Sequence, residues 1–102
     1  MKKEKFTQMT EPLTKEIETI ILTQGKPYRI IISNNKLLFT IYEVRIKGIK
    51  WFGLVAYEDA FKLLGEDKKE NGLLLIGQDK GIILREVAKM MVSFEDSNTL
   101  VA

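Results

Sequence analysis

The sequence predicts a mainly β domain with one N-terminal α-helix, its five strands bent strongly into a small barrel. Three observations lead there. Residues 26 to 59 are dense in β-branched and aromatic side chains and are broken only at Asn34-Asn35 and Lys47-Gly48. The strand predicted from Lys36 to Ile46 is apolar on both faces near Leu37, Leu38, Phe39, Ile41 and Tyr42, as a strand covered twice would be. Gly53 sits inside the next strand, where a glycine marks a bend or a close backbone approach.

The elements follow in order. Residues 1–9 read as a flexible polar tail, and Thr10-Glu11-Pro12 then supplies a capping oxygen, an early negative charge and a proline tolerated in the first helical turn. Leu13, Ile17, Ile20 and Ile21 form one apolar stripe opposite Lys15, Glu16 and Glu18. The helix is expected to stop at Gln24-Gly25, where Gly25 can take the left-handed closing conformation and Pro27 blocks continuation.

Tyr28 to Ser33 and Lys36 to Ile46 are predicted to pair across an Asn34-Asn35 hairpin, and Lys47-Gly48 turns the chain into a third strand, Ile49 to Tyr57. By strand parity Ile49, Trp51, Gly53, Val55 and Tyr57 share one face, and Lys50, Phe52, Leu54 and Ala56 the other. Trp51 is assigned to the core with its apolar companions, leaving Phe52 and Tyr42 as the expected exposed rings. Asp59 to Gly65 fits either a short helix or the end of the third strand, and Glu66 to Gly72 a polar loop. Leu73–Ile76 and Ile82–Leu84 are read as the last strands, around a turn at Gly77 to Gly81. Residues 85 to 94 remain open between strand and helix, because Val87, Met90, Met91 and Phe94 also fit a helical stripe. The domain is placed at residues 10–94, with a flexible C-terminal tail at 95–102.

A chain of 102 residues, 45% hydrophobic and 29% charged, suits one compact domain with a modest core. Without cysteine it has no disulfide framework and no thiolate metal site, which fits a cytoplasmic home. The basic start MKKEKF lacks the apolar run of a signal peptide, and no segment is long enough to cross a membrane. Histidine is absent too, which removes the commonest general base and metal ligand. No phosphate-binding glycine loop is present, and the serines have no histidine to activate them. The expectation is a binding protein rather than an enzyme, with no cofactor and no metal.

Charge points to where binding would occur. Residues 1–25 are neutral, residues 26–50 carry +5 and residues 51–102 carry −3. The basic segment combines Arg29, Arg45, Lys47 and Lys50 with Tyr28, Tyr42, Trp51 and Phe52, the composition of a platform on which bases stack while cations follow the phosphates. The same cations also suit an acidic protein surface. Lysines on strand edges that merely discourage unwanted pairing would look similar.

Several segments resemble the Sm-like family, the bacterial Hfq branch in particular. Glu11-Pro12-Leu13 resembles the opening of that family's helix, Pro27 to Ile30 its first strand, Leu37 to Ile41 its second and Gly48 to Val55 its third. Ile83 to Val92 resembles its last two strands. A second register, which sets the family's glycine and aspartate pattern on Gly53 to Asp59 and its next glycine on Gly77, is equally open. Phe39 stands where the family has glycine, and Arg85-Glu86 where the Hfq branch has its RNA-reading Lys-His pair. The resemblance implies a homo-oligomeric ring joined through strand edges, binding single-stranded RNA in post-transcriptional regulation. The residues that would carry it are Tyr42, Arg45, Lys47, Lys50, Phe52 and Arg85. The rival expectation is a small inhibitor or adaptor that binds no nucleic acid and docks residues 26–59 on an acidic protein partner.

Overall fold

The computed structural model describes residues 11–101, with side chains over 15–94. The elements run α1 (Glu11–Gln24), β1 (Lys26–Ser33), β2 (Lys36–Ile46), β3 (Ile49–Ala56), α2 (Glu58–Leu63), β4 (Gly72–Gly77) and α3 (Lys80–Val101). The strands form one open antiparallel sheet in the order β1-β2-β3-β4. The N-terminal helix and the antiparallel β ribbon thus stand as the sequence predicts them. The closed five-stranded barrel does not.

Local chemistry accounts for the first half. Both hairpins turn on two residues with positive φ, 53° at Asn34 and 63° at Asn35, then 52° at Lys47 and 80° at Gly48. This geometry matches the right-handed twist of the flanking strands and sets their register beside each turn, while the β1–β2 ladder shifts between Ile31 and Ile32 and again between Pro27 and Arg29. Thr10 and the N-terminal tail lie outside the described residues. At its other end α1 closes by a 3.0 Å hydrogen bond from the Gly25 amide to the Ile21 carbonyl, without a left-handed residue at Gly25. Glycine is needed there for space, since a Cβ would run into the Ile21 carbonyl oxygen and lie 3.2 Å from Cβ of Tyr42.

The second half departs from expectation at residue 80. Ile82–Leu84 is not a strand, and residues 85–94 belong to α3, whose backbone remains helical through Val101 where a flexible tail was expected. Asp79 starts this helix, its Oδ1 accepting the Gly81 amide hydrogen at 2.8 Å. Ile83, Val87 and Phe94 then return to one buried face. A strand through the same residues would bring charged side chains into the core by alternation, whereas the helix leaves Arg85 and Lys89 exposed.

The doubly apolar β2 is accounted for by two helical layers. On one face, Ile17 and Ile21 of α1 pack with Ile76 and against Tyr42, Val44, Ile46, Trp51 and Leu73. On the other, Phe39, Ile41, Phe52 and Leu54 meet Ala60 and Phe61 of α2 and Ile83, Val87 and Phe94 of α3. Phe39 and Phe94 stack with centroids 6.4 Å apart and planes within 5°. Burial on this second, larger face is what fixes α3 as a helix, because its apolar stripe repeats at helical spacing. Among the described residues no helix is long and apolar enough to cross a membrane.

Candidate binding site at the basic end of the sheet

The β2–β3 register sets Arg45 opposite Lys50 and Ile46 opposite Ile49, with Lys47 at the turn. The β1–β2 register sets Lys26 opposite Glu43. Three cations therefore converge on a cavity of about 330 Å³ lined by Gln24, Lys26, Glu43, Val44, Arg45 and Lys50. Glu43 is the one acidic side chain in that lining. Its carboxylate lies 3.5 Å from the Lys50 ammonium, while Arg45 donates to the Gly48 carbonyl at 3.2 Å and so stiffens the turn. An exposed Lys–Glu pair of this kind contributes little stability, and Lys50 can exchange its partner readily. Ile49 is also exposed, on the opposite face of β3, and does not line this cavity.

The residues expected to form the site divide between this end and other places. Arg45, Lys47 and Lys50 come together and are exposed. Phe52 does not join them: it is 5% exposed and turns into the larger core, meeting the Tyr28 ring edge-on at 5.6 Å. Parity placed it on the face opposite Trp51, as observed, but that face is the one covered by α3. Tyr42 is half-buried beneath α1, and hydrogen bonding to Tyr57, followed by burial, raises its hydroxyl above the ordinary value of 10.0. The Tyr57 hydroxyl in turn donates to Thr40 Oγ1 at 2.9 Å. Trp51 packs into the smaller core, as its parity suggested. Arg85 is exposed on α3 and does not line the basic cavity.

Two contributors were missed. Lys26 belongs to the basic cavity, and counting back from the Asn34-Asn35 turn would have paired it with Glu43. Lys80 lies over the Tyr28 ring at 5.2 Å and Arg29 lies 5.9 Å from the same centroid. No sequence signal joined Lys80 to Tyr28, because that contact depends on where α3 starts.

A second cavity, about 300 Å³, lies against the Asn34 hairpin, α2 and α3, with Leu38, Leu63, Met91 and Phe94 in its lining. Lys36, Asp59 and Lys62 also line it, the first two 3.9 Å apart. Its charge is mixed. Among the described residues no three carboxylates come together to hold a metal ion. No family model, curated protein or solved structure matches the chain.

Proposed function

We propose that the protein is a small protein-binding module that docks its basic sheet end on an acidic partner surface. The observation that carries the reading is the convergence of Lys26, Arg45 and Lys50 on one open cavity, with Lys47 at the adjoining turn. Such a cluster raises the encounter rate with an acidic surface and selects against basic ones.

Single-stranded RNA is the second reading, favoured by the same cations, which suit phosphates equally well. Less supports it. Of the rings proposed for stacking, Phe52 is withdrawn into the core and Tyr42 is held beneath α1. The Sm-like ring also needs an edge strand where α3 runs.

Affinity capture from source-cell lysate, with and without nuclease, separates the two. Wild-type protein and the charge-reversed variant R45E/K47E/K50E serve as paired baits. The protein-binding reading expects an acidic protein that survives nuclease and is lost with the variant. Recovery of RNA alone, or of proteins that nuclease strips away, contradicts it.

A further inference from the structure

Beyond the basic end, β1 is an edge strand, so among the described residues its outward N–H and C=O groups face no neighbouring strand. Such an edge is a template for another strand unless it is blunted by charge, covered or twisted away. Lys26 and Arg29 guard only the first half of β1. Beyond them the strand reads Ile30-Ile31-Ile32-Ser33, and Ile30 and Ile32 are 54% and 61% exposed. Helix α1 packs over β2 and β3 and does not cover these two side chains. Lys26 itself lines the basic cavity, so the edge and that cavity are continuous.

We propose that β1 accepts an extended acidic-apolar segment of a partner protein as a fifth strand, with Ile30 and Ile32 gripping its apolar side chains and Lys26 and Arg29 selecting its carboxylates. This rests on the protein-binding reading and names its mode of recognition. Main-chain hydrogen bonds supply affinity in strand addition, and alternate side chains supply specificity. Charge decides the occupant. The strand carries two cations and no acid, so a second copy of itself offers Lys26 and Arg29 no counter-charge, whereas an acidic strand supplies one to each.

The test uses the full-length ¹⁵N-labelled chain and an end-blocked eight-residue peptide alternating Glu and Val, with a Lys–Val peptide as control. Amide exchange and chemical shifts are followed in wild type and in I30K/I32K, whose substitutions fall on exposed positions and spare the fold. The expected result is new amide protection along residues 28–33, at least tenfold weaker binding by I30K/I32K, and little binding of the Lys–Val peptide. Shifts confined to residues 45–50 overturn strand addition while leaving docking at the basic end intact. Equal binding of the two peptides overturns the charge selection, and a concentration-dependent dimer protecting the same amides without peptide makes the occupant a second copy. Failure of the Glu–Val peptide to bind also overturns strand addition, whereas the lysate capture decides the docking reading independently.

Discussion

Ile21 of α1 occupies the space that a side chain at Gly53 of β3 would fill. A Cβ built on Gly53 lies 2.9 Å from Cγ2 of Ile21, 3.2 Å from its Cδ1 and 3.1 Å from Cδ1 of Leu73. The missing side chain lets α1 settle on the sheet at this crossing. Of the two roles the sequence suggests for Gly53, a bend or a close approach, it is close approach that the structure shows, here by side chains of α1 and β4.

Gly53→Ala is therefore expected to destabilise the fold by about 1–3 kcal/mol, the usual cost of overpacking. Urea unfolding followed by circular dichroism measures it. In an Ile21→Ala background the same substitution should cost clearly less, since the obstructing methyls are gone. An unchanged cost there would mean that Ile21 is not the obstruction.

Asp79 caps α3, accepting the Gly81 amide hydrogen at 2.8 Å. Removing its carboxylate in Asp79→Ala is expected to cost about 0.5–2 kcal/mol through loss of the cap on α3, while Asp79→Asn should stay close to wild type. Thermal unfolding of the three proteins gives the comparison. Equal loss in both variants would show that the charge, rather than the capping oxygen, matters.

The Tyr42 hydroxyl predicts a pH dependence with a definite sign. Its proton is held more tightly in the folded state than in the unfolded one, chiefly through the hydrogen bond with Tyr57 and then through burial. The associated stability is present below the ordinary value of 10.0 and is lost as pH rises through the elevated value. Tyr42→Phe should flatten this alkaline loss, as read from denaturation midpoints across that range. An identical slope in the variant would remove Tyr42 as its cause.

Where local chemistry decides structure, the sequence was legible. Asn34-Asn35 and Lys47-Gly48 are two-residue turns in their own right, so β1, β2 and β3 and the grouping of Arg45, Lys47 and Lys50 could be read directly. The Ile17–Ile21 stripe likewise announced α1. Beyond Gly77 the strand expected at Ile82–Leu84 is wrong and residues 85–94 stay open, because an apolar run such as Ile82-Ile83-Leu84 suits either element. Asp79 as a cap, together with Arg85 and Lys89 outside the buried stripe, resolves it toward helix. Phe52 was misjudged for a related reason. Alternation separates the faces of a strand but cannot say which is covered more deeply, and the cover over Phe52 is the larger core that α3 completes.

The choice of a protein partner over RNA is tested most directly by fluorescence anisotropy at about 0.15 M salt, near physiological ionic strength. Labelled oligouridine and the labelled Glu–Val peptide are titrated side by side with the full-length protein. A protein-binding module gives saturable binding of the peptide, weakened by R45E/K47E/K50E, and no saturable binding of the RNA. Saturable oligouridine binding that falls steeply with added salt and vanishes in the same variant, with the peptide inert, would contradict it.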